Sequence, residues 1–96
     1  MNLASDVKYG SNSHRGRLDI IADILDASHE GVRKTHLMYH CNLSFRQLKN
    51  YLQFLFNRGL LHVVSDNADP NPGLFEITEK GRKFLRVYKG LKGLMK

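Results

Sequence analysis

The stretch from Cys41 to Gly59, CNLSFRQLKNYLQFLFNRG, decides how the rest of the chain is read. Ser44 and Gln47 have the spacing of a capping box, in which the hydroxyl accepts the N–H of residue 47 and the glutamine amide accepts that of residue 44. Leu43 and Leu48, just outside and just inside the cap, have the spacing of a hydrophobic staple. Gly59 can close the last turn in the left-handed conformation without a Cβ penalty. At about 100° per residue, Phe45, Leu48, Leu52, Leu55 and Phe56 fall on one side, and Arg46, Asn50, Gln53 and Asn57 centre on the other. The first side is a core face. The second carries amides flanked by Arg46, Lys49 and Arg58, with no carboxylate. Amides and guanidiniums pair bidentately with purine edges in the DNA major groove. A neutral solvated face would read the same way, so this helix alone leaves both readings open.

Upstream, residues 33–41 read as a short helix with Leu37 and Cys41, four apart, as its core contacts. Asn42 stands where the chain must turn sharply, and asparagine tolerates the left-handed region better than most residues. Two helices meeting across Asn42 and Leu43 have the spacing of a helix-turn-helix. Arg33, Lys34 and Thr35 would then lie beside the backbone of DNA held by the next helix, where cations and N–H groups take phosphates. Before them, Arg17 to about His29 forms a first helix with Leu18, Ile20, Ile21, Ile24 and Leu25 on a broad apolar stripe. Asp19, Asp23 and Asp26 line its other side, which reads as a solvated face turned away from nucleic acid, and Gly31 ends the helix. Residues 1–16 lack apolar periodicity and read as a flexible arm, whose His14 and Arg15, with Arg17 beyond, end in positive charge.

Downstream, residues 60–65 and 74–77 are rich in β-branched, aromatic and aliphatic side chains and flank Pro70, Pro72 and Gly73, which predicts a hairpin with a long tip. Between Gly59 and Thr78 there is no Lys or Arg, but there are Asp66, Asp69 and Glu76, the wrong sign for lying along phosphates. Thr78 can cap a final helix, with Glu79 near the positive end of its dipole. Phe84, Tyr88, Leu91 and Met95 recur at spacings of four, three and four, with Leu85, Val87 and Leu94 beside them. Gly90 and Gly93 each cost such a helix about 1 kcal/mol against alanine, so the seam must be buried against something. Phe84 and Leu85 can reach the domain's own core. Tyr88, Leu91 and Met95 lie further along, and a second copy packed antiparallel is the economical partner.

Ninety-six residues make one small domain, and a single cysteine rules out an internal disulfide, which suits a reducing compartment. No apolar run has the length of a signal-peptide core or a membrane span, so the expected location is cytoplasmic. The net charge of +6 is regional: seven positive charges follow Glu79 with no acid among them, whereas everything before residue 80 sums to eight positive and nine negative. Such one-sidedness favours a polyanion, nucleic acid before membrane, with a solubilising tail as the plain alternative. No Gly-rich phosphate loop, nucleophile with a nearby base or carboxylate dyad appears, so an enzyme is not expected. His36 and His40, four apart and next to Cys41, could supply two or three metal ligands, but His14, His29 and His62 are scattered and Cys41 is wanted by the core, so no metal site is assigned.

Together, RLDIIADILDA, KTHLMYHCNLS, LKNYLQFLFNRGLL and FEITEKGRKFL resemble the small archaeal winged helix-turn-helix DNA-binding proteins that dimerise through antiparallel C-terminal helices, over roughly residues 17 to 96. The resemblance implies an α+β, mainly α fold: a winged helix-turn-helix domain over 17–79, with a three-helix core and two-stranded wing, then a C-terminal dimerisation helix over 80–96. It implies a homodimer on double-stranded DNA, a transcriptional regulator or nucleoid-associated protein, with no cofactor, membrane or small-molecule substrate. Arg46, Gln47, Lys49, Asn50 and Gln53, behind Ser44, would face the major groove, and Arg33 and Lys34 would take phosphates. Phe84, Val87, Tyr88, Leu91, Leu94 and Met95 would form the dimer contact. Two other readings stand beside it. One is a protein-interaction module on the same fold, for which Phe54, projecting near the exposed amides, and the acidic wing would speak. The other is a repressor gated by metal at His36, His40 and Cys41.

Overall fold

The computed structural model describes residues 15–64 and 73–95. The elements are α1 (Arg17–Ala27), α2 (Lys34–Cys41), α3 (Phe45–Asn57), β1 (Leu61–Val64), β2 (Leu74–Ile77) and α4 (Glu79–Leu94). Four helices and one antiparallel two-stranded sheet, registered Leu61 to Ile77 and Val64 to Leu74, make up the expected mainly α fold. Most of the arm and the hairpin tip, with Asp66, Asp69, Pro70 and Pro72, lie outside the described residues.

The core is one cluster, into which α1 puts Ile21, Ile24 and Leu25, α2 puts Leu37 and Cys41, and α3 puts Leu48, Leu52 and Leu55. Leu61, Ile77 and Leu85 close it from the sheet and α4. Periodicity overstated two faces. Leu18 of α1 is exposed, and so is Phe45 of α3, whose ring lies under the Lys34 ammonium at 4.9 Å.

Local chemistry sets the element ends. Asn42 adopts the left-handed conformation (φ 56°), and Ser44 caps α3 with the reciprocal bonds of the capping box: Gln47 N–H donates to Ser44 Oγ at 3.1 Å, and Ser44 N–H to Gln47 Oε1 at 2.9 Å. Replacing Ser44 by alanine leaves the Gln47 N–H without its acceptor and should cost about 1 kcal/mol, read as a thermal midpoint lowered by about 4–8 °C for a domain of this size. At the other end Gly59 (φ 70°) completes a Schellman motif, with Leu60 N–H donating to Leu55 O at 2.9 Å and Gly59 N–H to Phe56 O at 3.1 Å. That use of Leu60 delays β1 by one residue relative to the sequence reading.

The end of α1 differs more. It stops at Ala27 because Ser28, fully buried, bonds through its hydroxyl to Ile24 O at 2.6 Å and through its carbonyl to the Ile77 N–H at 2.8 Å. Continuing the helix would turn that carbonyl toward residue 32 and leave the Ile77 N–H without its acceptor. Gly31 (φ 57°) lies past the helix in the following turn, after which Val32 forms a one-residue bridge to Phe75.

The largest correction concerns the aspartates of α1. They do not form a solvated face but meet α4 and the chain entering α1. Asp19 accepts from the Tyr88 hydroxyl, from Gly16 N–H at 3.1 Å, and lies 3.5 Å from Lys92 Nζ. Asp26 sits 3.1 Å from Lys89 Nζ and 3.5 Å from His29. Asp23 is paired at 2.5 Å with Arg15, which also donates to the Cys41 carbonyl at 2.6 Å and so ties the end of α2 to α1. Arg15 is therefore turned inward, not offered as the charged end of an arm. Tyr88, read as part of a seam reaching beyond the domain, is half-buried on its own chain, stacked with Phe84 at 6.4 Å.

Thr78 joins the end of α3 to α4. Its hydroxyl donates to Gly59 O at 2.6 Å and accepts from Gly81 N–H at 3.0 Å, while its own N–H reaches Leu60 O at 3.1 Å. Gly81 is buried at this crossing, against Leu60 and Ile77.

Candidate nucleic-acid interface

The outward side of α3 is uncovered. Arg46, Lys49, Asn50, Gln53 and Asn57 are all exposed, and among the described residues no carboxylate pairs with Arg46 or Lys49. Ser44 and Gln47 are exposed at the leading end. Their cap occupies the glutamine oxygen and leaves its amide N–H groups available. Lys34, the first residue of α2, stands exposed with its ammonium over Phe45 at the start of α3, and Arg33, the N-cap of α2, is exposed next to it in the chain.

Two depressions border this stripe. One, of about 390 Å³, is lined by Lys34, Lys49, Gln53 and Asn57 together with Phe75 of the sheet. The other, of about 330 Å³, is lined by Arg17, Gln47, Asn50 and Tyr51, between the start of α1 and α3. Close to the second, the Phe54 ring carries two guanidiniums, Arg17 at 5.7 Å and Arg58 at 4.9 Å from its centre. Phe54 is therefore half-buried under cations, not the bare aromatic of the sequence reading. Arg58 was read as a cation flanking the stripe, whereas Arg17 and Tyr51 were missed as its neighbours. The i,i+4 spacing of Phe54 and Arg58 could have suggested that contact, but nothing in the spacing brings Arg17 there.

The basic tail looks different in place. Lys89 and Lys92 face Asp26 and Asp19, Arg82 lies 3.1 Å from His29 Nδ1, and Lys80 donates to Arg58 O at 2.7 Å. The Tyr88 hydroxyl, with the Gly16 N–H and Lys92, holds the Asp19 carboxyl below the ordinary aspartate range, and the same hydrogen bond pushes the Tyr88 hydroxyl up to about 12. In the described hairpin, Glu76 lies 3.1 Å from His62 on the facing strand.

His36 and His40 stack in the open with ring centres 5.7 Å apart, and among the described residues no group of three or more His, Cys, Asp or Glu could hold a metal ion. Cys41 points into the core, where burial, aided by nearby Asp23, pushes its thiol up to about 11. It is thus a core group instead of a third ligand. Val87, Leu91, Leu94 and Met95 are exposed along α4, while Phe84 and Tyr88 pack partly against their own chain. No helix among the described residues is long and apolar enough to cross a membrane.

Three helices ending in a capped, solvent-facing helix, followed by a hairpin and a closing helix, define a helix-turn-helix body with a wing. The chain belongs to the winged helix-turn-helix family, whose model matches residues 14–96. It is 34% identical over 70 residues to the protein MJ0287 of Methanocaldococcus jannaschii, covering 72% of this chain and spanning 65% of that relative's length. Among solved structures it is similar to Sso10a-2, a DNA-binding protein from Sulfolobus solfataricus, with a TM-score of 0.68 and 25% identity over 84% of this chain and 82% of that one. The MepR–DNA complex of S. aureus shares the fold at a TM-score of 0.70 and 15% identity, over 88% of this chain and 68% of that one.

Proposed function

We propose that this protein binds double-stranded DNA as a homodimer, laying α3 in the major groove, and serves as a transcriptional regulator or nucleoid-associated protein in the cytoplasm. The observation that carries this reading is the exposed stripe of α3, which holds amides and cations, has no carboxylate and is covered by nothing among the described residues of its own chain. A bare Arg and Lys on a convex helix suit a groove walled by phosphates, and bare amides suit its floor of base edges. Arg46, Asn50 and Gln53 face the bases, with Ser44 and Gln47 at the leading end; Lys49, Arg33 and Lys34 take phosphates. The likeness to Sso10a-2, described as a DNA-binding protein, supports the assignment.

Pairing is supported by what α4 leaves uncovered: Val87 is 60%, Leu91 56%, Leu94 83% and Met95 82% exposed. With Tyr88 turned toward α1, the residues left for a partner follow Phe84, Val87, Leu91 and Leu94, a three-four-three spacing that a second antiparallel copy can bury.

Titration of random and genomic duplex fragments in dilute salt, beside sedimentation of the free protein, tests both halves. Binding of neither fragment set removes the DNA assignment, and a monomer at micromolar concentration removes the dimer. Asn50→Ala and Gln53→Ala should leave binding to random duplex nearly intact. They should flatten preference among sequences by about 1–3 kcal/mol at the base concerned, measured by competition between the best fragment and its single-base variants.

A further inference from the structure

We infer that Arg17, Arg58 and Tyr51 form a second phosphate-binding flank beside α3, gripping the sugar-phosphate strand opposite the one met by Arg33, Lys34 and Lys49. This rests on the DNA-binding reading above and says which residues complete it. A major groove, about 12 Å wide, has a phosphate strand along each edge. A helix lying in it presents two flanks, and cations on one alone would hold it lopsidedly. On α3 the flank toward Lys49 and Gln53 meets Lys34 across one depression, and the flank toward Gln47 and Tyr51 meets Arg17 across the other.

A hairpin rich in cations could serve the second strand, but here the described strands LHVV and LFEI carry no Lys or Arg, and their one acid is Glu76. Arg17 and Arg58 fill that role by position and by state. Both are exposed, both lie on the Phe54 ring, at 5.7 and 4.9 Å, and among the described residues neither pairs with a carboxylate. Two like charges held on one ring repel each other, and phosphate along this flank relieves that repulsion. The ring fixes where each guanidinium stands, so less freedom is lost when a phosphate arrives. Tyr51, half-buried at the rim of the same depression, brings a phenol hydroxyl that can donate to a phosphate oxygen.

The test uses the full chain and a random-sequence duplex, with binding measured by fluorescence anisotropy across a series of salt concentrations. Arg17→Gln keeps the stem on Phe54 and removes the charge. The logarithmic slope against salt should become less negative by about 0.9 for each phosphate no longer neutralised, hence about 1.8 for the two copies in a dimer. Arg17→Lys should keep the wild-type slope, and Arg58→Gln should repeat the effect of Arg17→Gln, with thermal melts verifying that each variant is folded. Arg86→Gln, on the exposed side of α4, should leave the slope where it was. A folded Arg17→Gln with wild-type affinity and slope, while Lys34→Gln lowers both, overturns the second flank and leaves the DNA reading standing. Wild-type protein that binds no duplex in dilute salt overturns that reading, and the flank with it.

Discussion

Raising salt from 50 to 200 mM should weaken binding to random duplex DNA by about 10³–10⁵-fold. The size follows from the cations at hand. Each protomer offers Arg33, Lys34, Arg46 and Lys49 around α3, and two copies neutralise about six to eight phosphates, for a logarithmic slope on the order of −5 to −7. Each neutralised phosphate releases condensed counterions into solution, and that release is worth less as the solution fills with salt. A protein that recognised base edges alone would show a shallow slope, because hydrogen bonds and apolar contacts release few ions. Anisotropy titrations at four or more salt concentrations would decide it, and an affinity that hardly changes over this range cannot be reconciled with α3 between two phosphate strands.

Gly81→Ala should destabilise the fold by about 1–3 kcal/mol, although the same change in an exposed helix would stabilise it by about 1 kcal/mol. A Cβ at residue 81 would press into the Leu60 carbonyl oxygen and come within 2.7 Å of Ile77 Cγ1. The carbonyl cannot swing aside, since it accepts the Thr78 N–H at 3.1 Å. Relief therefore requires α4 to move as a whole, which would loosen Leu85 in the core and the Thr78 bridge. Thermal or urea unfolding should find a midpoint lowered by several degrees, about 4–8 °C per kcal/mol. Gly90, with open space around it, is the internal control: Gly90→Ala should raise the midpoint. Equal gains at both positions would mean that the crossing is looser than described.

Much of this molecule could be read from one dimension. The Ser44–Gln47 cap, the Asn42 turn and the Gly59 closure involve neighbours within a few residues, so their chemistry is written in local spacing. The buried leucines of α3 followed from helical period, as did the hairpin from its turn residues. What escaped has a common cause: period tells which face is apolar, not which neighbour a polar face will meet. Asp19 and Tyr88 are 69 positions apart, and nothing around either announces the other. Ser28 looks like an ordinary helix residue until the Ile77 N–H is seen to need its carbonyl. Gly81, in the sequence, is an unfavourable helix residue with no visible purpose; the purpose is a backbone crossing. On the exposed stripe, Lys34, Arg46, Lys49 and the amides could be grouped because they share two adjacent helices, whereas Arg17 reaches Phe54 from the start of α1.

The aspartates of α1 alter what the tail's lysines mean. Asp19 and Asp26 stand at Lys92 and Lys89 as counterions that the chain carries for itself, so part of the tail's positive charge is offset at close range. On α3 itself, Arg46 and Lys49 meet no carboxylate among the described residues. A molecule whose charges were all bare could settle on a duplex in several poses; in the proposed complex, trimming those two acids should blur the aim before it weakens the grip.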